Sequence, residues 1–102
     1  MELYKLCKNR NIEKAVRHIE MGGSVNDQIA PFMQTASHLA AGFGLTEVIE
    51  ALALRTDWKP DLHDSMGRSP FDCAVAQGHH QLAKFINSTV EERKTNPRPS
   101  GP

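Results

Sequence analysis

Asp64-Ser65-Met66-Gly67-Arg68-Ser69-Pro70-Phe71-Asp72-Cys73-Ala74-Val75-Ala76-Gln77-Gly78-His79 is the stretch that decides how this chain folds. It reads as a turn, a capped helix and a helix stop in succession. Ser69 is a residue type that caps a helix, its oxygen accepting from a free backbone N–H of the first turn. Pro70 follows at the first helical position, where a missing N–H is not needed. Gly78 ends the helix in a left-handed cap that a side chain with a Cβ would disfavour. The same signals stand 34 residues earlier, where Thr35-Ala36-Ser37-His38-Leu39-Ala40-Ala41-Gly42-Phe43-Gly44 aligns without a gap. A further step of the same length sets Leu6 and Cys7 opposite the Ala40-Ala41 pair, and Arg10 opposite Gly44 and Gly78. Self-similarity at a period of this length is the sequence mark of a repeat array.

Each capped helix is followed by a second apolar pattern. Ile12, Ala15, Val16 and Ile19 carry helical spacing in the first unit. Val48, Ile49 and Leu52 do so in the second, and Leu82, Ala83, Phe85 and Ile86 in the third. Gly22-Gly23-Ser24-Val25-Asn26-Asp27 and Asp57-Trp58-Lys59-Pro60-Asp61 lie between units and are turn and breaker residues. The small residues Ala40, Ala41 and Ala74 allow neighbouring helices to approach closely.

The Asp64–His79 stretch resembles the ankyrin consensus D-x-x-G-x-T-P-L-H-x-A-A-x-x-G-H. His38-Leu39-Ala40-Ala41-Gly42-Phe43-Gly44 is similar to its H-L-A-A-x-x-G core, and Gly22-Gly23-Ser24-Val25-Asn26 looks like the G-A-D-V-N that closes a repeat. The resemblance covers residues 1–88 and implies an all-α ankyrin-repeat solenoid of three helix-turn-helix repeats with short β-hairpin-like loops. The repeats fall at about 1–29, 30–63 and 64–88, with residues 89–102 as helix extension and tail. Three departures bear on packing. Ala36-Ser37 stands where the family has Pro-Leu, so the middle unit lacks a buried leucine worth roughly 1.5–3 kcal/mol. Ala30 and Met33 replace the Asp and Gly of the loop tip, which argues against the family's usual turn there. Asp72 replaces the family's histidine, removing its inter-loop hydrogen bond. The one extra residue of the long period is assigned to Trp58-Lys59-Pro60.

Met1 aligns with the capping residue of the later units, so the first unit begins directly at a helix. Lys5, Lys8, Asn9, Arg10 and Asn11 give it the polar face that a terminal repeat needs for solubility. Beyond Ile86 the pattern fades; Val90 to Lys94 extends the last helix, and Thr95 to Pro102 reads as a disordered tail. Three units are the minimum for independent stability.

The chain has 102 residues, enough for one domain, and its twelve basic and twelve acidic side chains cancel. No basic excess gathers on one stretch, which argues against nucleic acid as a partner. No apolar run of membrane-spanning length occurs, and no apolar core of a secretory signal follows Met1. Cys7 and Cys73 sit in apolar stretches and read as reduced core thiols, which predicts an intracellular protein of cytoplasm or nucleus. Catalysis needs a nucleophile, a base and an orienting group within reach. Ser37, Ser69, Cys7 and Cys73, with His38, Asp64 and Asp72, are the available types, but Ser69 is explained as a cap and the cysteines as core. Asp61, His63, Asp64, His79 and His80 lack the paired spacing of a structural zinc site. His18 reads as a packing residue. The sequence therefore predicts a non-enzyme without metal or cofactor.

The resemblance implies a concave face of loop tips and first helices that binds a protein partner, the chain acting as adaptor or inhibitor and standing as a monomer when isolated. The variable positions of that face are Pro31, Phe32, Gln34, Gly42 and Phe43, then Ser65, Met66, Arg68, Ala76 and Gln77, with Lys8 and Asn9 in the first unit. Aromatic, Met and Arg residues are enriched at interface cores. The predicted partner-binding set is accordingly Phe32, Gln34, Phe43, Trp58, Ser65, Met66, Arg68 and Gln77. Phe32 and Phe43 either face the partner or fold inward to fill the space left at Ala36 and Ser37. Trp58 is either a second anchor or a lid over the last helix pair. The alternative function is assembly within a larger complex through the C-terminal repeat, where Phe85, Ile86 and Val90 need cover from a continued helix or from a neighbour.

Overall fold

The computed structural model describes residues 2–95, and the capping residues read from the sequence start helices where they stand. The Thr35 hydroxyl accepts from the His38 N–H while the His38 ring reaches back to the Thr35 N–H. Ser69 and Asp72 form the same reciprocal pair, with Pro70 in the first turn. Each such box satisfies two helix-end donors that would otherwise lack a partner. Gly44 closes its helix at φ 73° and Gly78 stands at φ 80° just past the end of its own. Arg10, which aligns with them, holds a φ of 55° although it is not glycine. Met1 and residues 96–102, on which the expected cap position and most of the expected tail fall, lie outside the described residues.

Six helices result: α1 (Glu2–Lys8), α2 (Ile12–Glu20), α3 (Ala36–Phe43), α4 (Thr46–Ala53), α5 (Pro70–Ala76) and α6 (His80–Thr95). The described residues hold no strand, so the fold is all-α; an isolated antiparallel bridge joins Ile29 and Gln34. Among these residues no helix is long and apolar enough to cross a membrane. Packing follows the alternation of the chain. α1, α3 and α5 lie against one another in a first row; α2, α4 and α6 follow as a second row, and each helix also packs on its sequence neighbour across the rows. Small residues close the first row, with Cys7, Ala40, Ala41 and Ala74 wholly buried. The larger Ile19, Val48, Ile49, Leu52 and Ile86 of the second row supply the apolar volume. Each of these larger side chains contributes roughly 1.5–3 kcal/mol by leaving water.

Helix ends of the second row are tied by arginines. Arg55 Nη1 donates to the carbonyls of Ile19 and Gly23 at 2.8 and 3.0 Å, while its other donors fork onto Asp57. Arg93 of α6 donates to the carbonyls of Trp58, Ala53 and Arg55. The carbonyls at a helix C-terminus lack intrahelical donors and carry partial negative charge, so a guanidinium there is stabilising. These bonds also show that α2 and α4 run the same way.

Two expectations are corrected, at Trp58 and at Thr95. Trp58 is not a surface anchor: it is only 2% exposed, and its Nε1 donates to the Ser37 Oγ at 2.7 Å. The indole thus fills the region of the middle unit where a leucine is missing, and the Arg93 guanidinium lies over its ring. The loop at Ala30–Met33 turns with Met33 at a φ of 57° and is closed by the Ile29 N–H donating to the Gln34 carbonyl at 2.8 Å, one residue wider than the Asp64-to-Arg68 closure of the last unit. Helix α6 takes in Thr95, which the sequence reading left in the tail. With α6 continued to Thr95, its Ile86 is fully buried and its Val90 half-buried, while Phe85 stays 39% exposed.

Candidate functional site

The loop before α5 is organised by one carboxylate. Asp64, whose side chain has no exposed surface, accepts from the backbone N–H groups of Met66 and Arg68, both at 2.9 Å, and from Arg68 Nε at 3.1 Å. Gln34 Nε2 approaches its other side at 3.5 Å. Burial pushes this carboxyl up. The two N–H bonds, the Gln34 amide and the guanidinium charge together more than offset that, and hold it at about 2. The same arrangement aims Arg68 and ties the two loops together, since the Ser65 N–H donates to the Phe32 carbonyl at 2.8 Å.

His38 completes the tie. Its Nδ1 accepts from the Thr35 N–H at 3.0 Å and therefore carries no proton; its Nε2–H donates to the Arg68 carbonyl at 2.8 Å. Burial pulls the imidazole below its ordinary pKa, and neither the Arg68 carbonyl nor the nearby Asp64 charge offsets this. A histidine held neutral in this way contributes stability above its unfolded-state value, which is lost as pH falls toward the lower folded value.

These ties shape a groove of about 470 Å³ over the first-row helices. Its lining includes four of the eight residues chosen from the sequence: Gln34, Phe43, Arg68 and Gln77. Gly42 and Ala76 line it too, as the resemblance implies. Phe43 neither stands free nor folds fully inward. It is half-buried against the core, and the Arg10 guanidinium lies 4.1 Å above its ring. Contacts of this kind are worth roughly 0.5–1 kcal/mol at exposed sites. Phe32, 56% exposed, and Met66, 68% exposed, are outside the lining, as is Ser65; they sit on the loop tips joined by the Ser65–Phe32 bond. Trp58 belongs to the core and not to this surface.

Arg10, His38, Leu39, Cys73 and His79 also line the groove, without having been expected there. For Arg10 a signal existed: a long cationic side chain stands where the other units place a glycine. His79 packs on Gly44, so closely that a Cβ there would come within 2.8 Å of the ring. Cys73 was read as core and is half-buried in the groove wall. Burial pushes both thiols up, that of Cys7 to about 12, which disfavours the thiolate that nucleophilic chemistry requires.

The groove therefore offers an apolar floor at Leu39, Phe43 and Ala76, carboxamides at Gln34 and Gln77, and guanidinium groups at Arg10 and Arg68, with no acidic side chain in its lining. Among the described residues, no three His, Cys, Asp or Glu side chains gather where they could hold a metal ion. No protein-family model matches the chain.

Proposed function

We propose that this chain is a non-catalytic protein-binding module, an ankyrin-like array of three helical repeats that takes a segment of a partner protein into the first-row groove. One observation carries the reading. Gln34, Phe43, Arg68 and Gln77, selected as variable positions of the repeat, line a single concavity together with Arg10. The two reciprocal capping boxes and the two-row packing support the repeat reading. The groove's mixture of a few apolar side chains with convergent polar groups suits recognition. Its aromatic and arginine content is of the type that dominates binding energy. The absence of acidic lining beside two guanidinium groups favours a partner segment that carries carboxylates.

Arg10→Glu and Phe43→Asp test this reading. Arg10 is exposed and its reversal leaves the core untouched; circular dichroism establishes that the Phe43 variant still folds. Used as baits in lysate pull-downs, both variants are expected to lose a prey that the parent chain retains. Equal recovery of the same prey on all three baits would overturn the groove assignment.

A further inference from the structure

The second-row helices carry a separate concavity that the first-row groove does not involve. Between α2 and α4 lies a groove of about 710 Å³. Ile12, Val16, Ala51 and Leu54 supply its apolar side chains, and Glu13, Glu20, Glu47 and Glu50 supply carboxylates. Its only basic lining residue is Arg17. On α2 these positions recur at i, i+4 and i+8, and on α4 at i, i+3, i+4 and i+7, so each helix offers one continuous stripe. The stripes lie side by side because the two helices run the same way, as the Arg55 bonds to the end of α2 require.

Two features distinguish this groove from an ordinary solvated helix face. Leu54, the C-cap of α4 and part of the lining, is 86% exposed, and Met21, which follows the lining residue Glu20 as the C-cap of α2, is 80% exposed. Single exposed apolar residues are normal, but apolar surface clustered beside a concavity and rimmed by charge marks an interaction site. The carboxylates of the lining also outnumber its single guanidinium, Arg17, four to one. Neither the Arg55–Asp57 nor the Arg68–Asp64 ion pair includes them. The groove thus combines apolar ground with a net negative field, the complement of a helix with one apolar and one cationic face.

We propose that the α2–α4 groove docks a cationic amphipathic helix of a second protein. The helix lies along the groove with apolar side chains at i, i+3 or i+4, and i+7 on Ile12, Val16, Ala51 and Leu54. Lysines or arginines on its flanks meet Glu13, Glu20, Glu47 and Glu50. Helix-in-groove recognition uses this anchor spacing, and the paired charges set orientation and association rate. Anionic membranes and nucleic acids are repelled by the same field. The groove shares no residue with the first-row groove, so both can be filled at once. The chain then joins a partner bearing an acidic segment to a partner bearing a basic helix.

The test uses the full chain and a fluorescent peptide of about 14 residues, leucine and lysine placed at helical spacing, with a scrambled peptide of equal composition as control. Fluorescence anisotropy is expected to show micromolar binding of the amphipathic peptide, and binding at least about tenfold weaker for the scrambled one. Leu54→Asp, and Glu47→Lys combined with Glu50→Lys, are expected to weaken binding by at least about tenfold. All three positions are exposed, and circular dichroism checks the fold. Arg10→Glu is expected to leave the affinity within about twofold, because distant sites act independently. Failure of Arg10→Glu to release prey in the pull-down therefore bears on the first-row groove alone. Equal binding of both peptides, or variants that bind like the parent, overturns the proposal. Sedimentation showing a parent dimer that Leu54→Asp converts to monomer also overturns it, since the occupant is then a second copy.

Discussion

At Asp64 a buried carboxylate is kept charged by its donors, and that charge is a source of stability with a defined pH dependence. In the unfolded chain an aspartate titrates near 3.9, whereas in the folded protein Asp64 is held at about 2. A depressed folded value means that the contribution is complete above the unfolded value and is lost as pH falls toward the folded one. Linkage puts it at about 2 kcal/mol. Asp64→Asn is therefore expected to lose about 2 kcal/mol in urea melts at neutral pH, with the gap to the parent narrowing as pH falls from about 4 toward 2. A gap that stays constant over that range would show that the charge is not what stabilises the loop. The start of this loop was legible, because Asp64 opens the repeated motif. The roles of Arg10 and Trp58 were not. Arg10 acts on Phe43, and Trp58 on Ser37 21 residues away, and neither pairing leaves a local pattern.

The helices themselves were read from local chemistry, and what the sequence does not display is how their ends are held. Thr35, Ser69 and Pro70 announce starts, and Gly44 and Gly78 announce stops, since each acts within its own turn. Arg93 acts across about forty residues, on the carbonyls of Ala53 and Arg55 and on that of Trp58. Hydrogen bonds from charged groups contribute about 1.5–3 kcal/mol. Arg93→Met is expected to lose about 2 kcal/mol and to speed hydrogen exchange at the amides of Arg55 and Trp58 before the rest of the chain. Arg93→Lys is expected to recover only part of this, because an ammonium does not offer the planar fork that spans several carbonyls. Unchanged melting of Arg93→Met would remove the arginine from the account of how α6 holds α4.

At the scale of the molecule, one continuous set of buried residues runs from Leu3 of α1 to Ile86 of α6. The radius of gyration is 12.7 Å, near the roughly 13 Å of a compact domain of this length. A single connected core predicts one cooperative transition, and a domain of this size predicts a modest free energy of about 5 kcal/mol. Urea unfolding followed by the fluorescence of the buried Trp58 and by circular dichroism is expected to give coincident curves. Separate transitions, or a value well above about 10 kcal/mol, would contradict this.

By itself the sequence determined the number of helices, their caps and stops, and the row of small residues between Ala40 and Ala74. These follow from interactions within one turn or from a pattern repeated along the chain, which a linear reading can register. Gln34, Phe43, Arg68 and Gln77 were instead implied by the family resemblance, together with four residues that the groove leaves out. Tertiary structure alone decided that Trp58 is core and that Arg10 covers Phe43. It also decided that Phe32 and Met66 stand apart from the groove, and that α2 and α4 bring four carboxylates and Leu54 to one surface. Each of these depends on which residues from distant segments meet, and that is set by the packing of whole helices against one another.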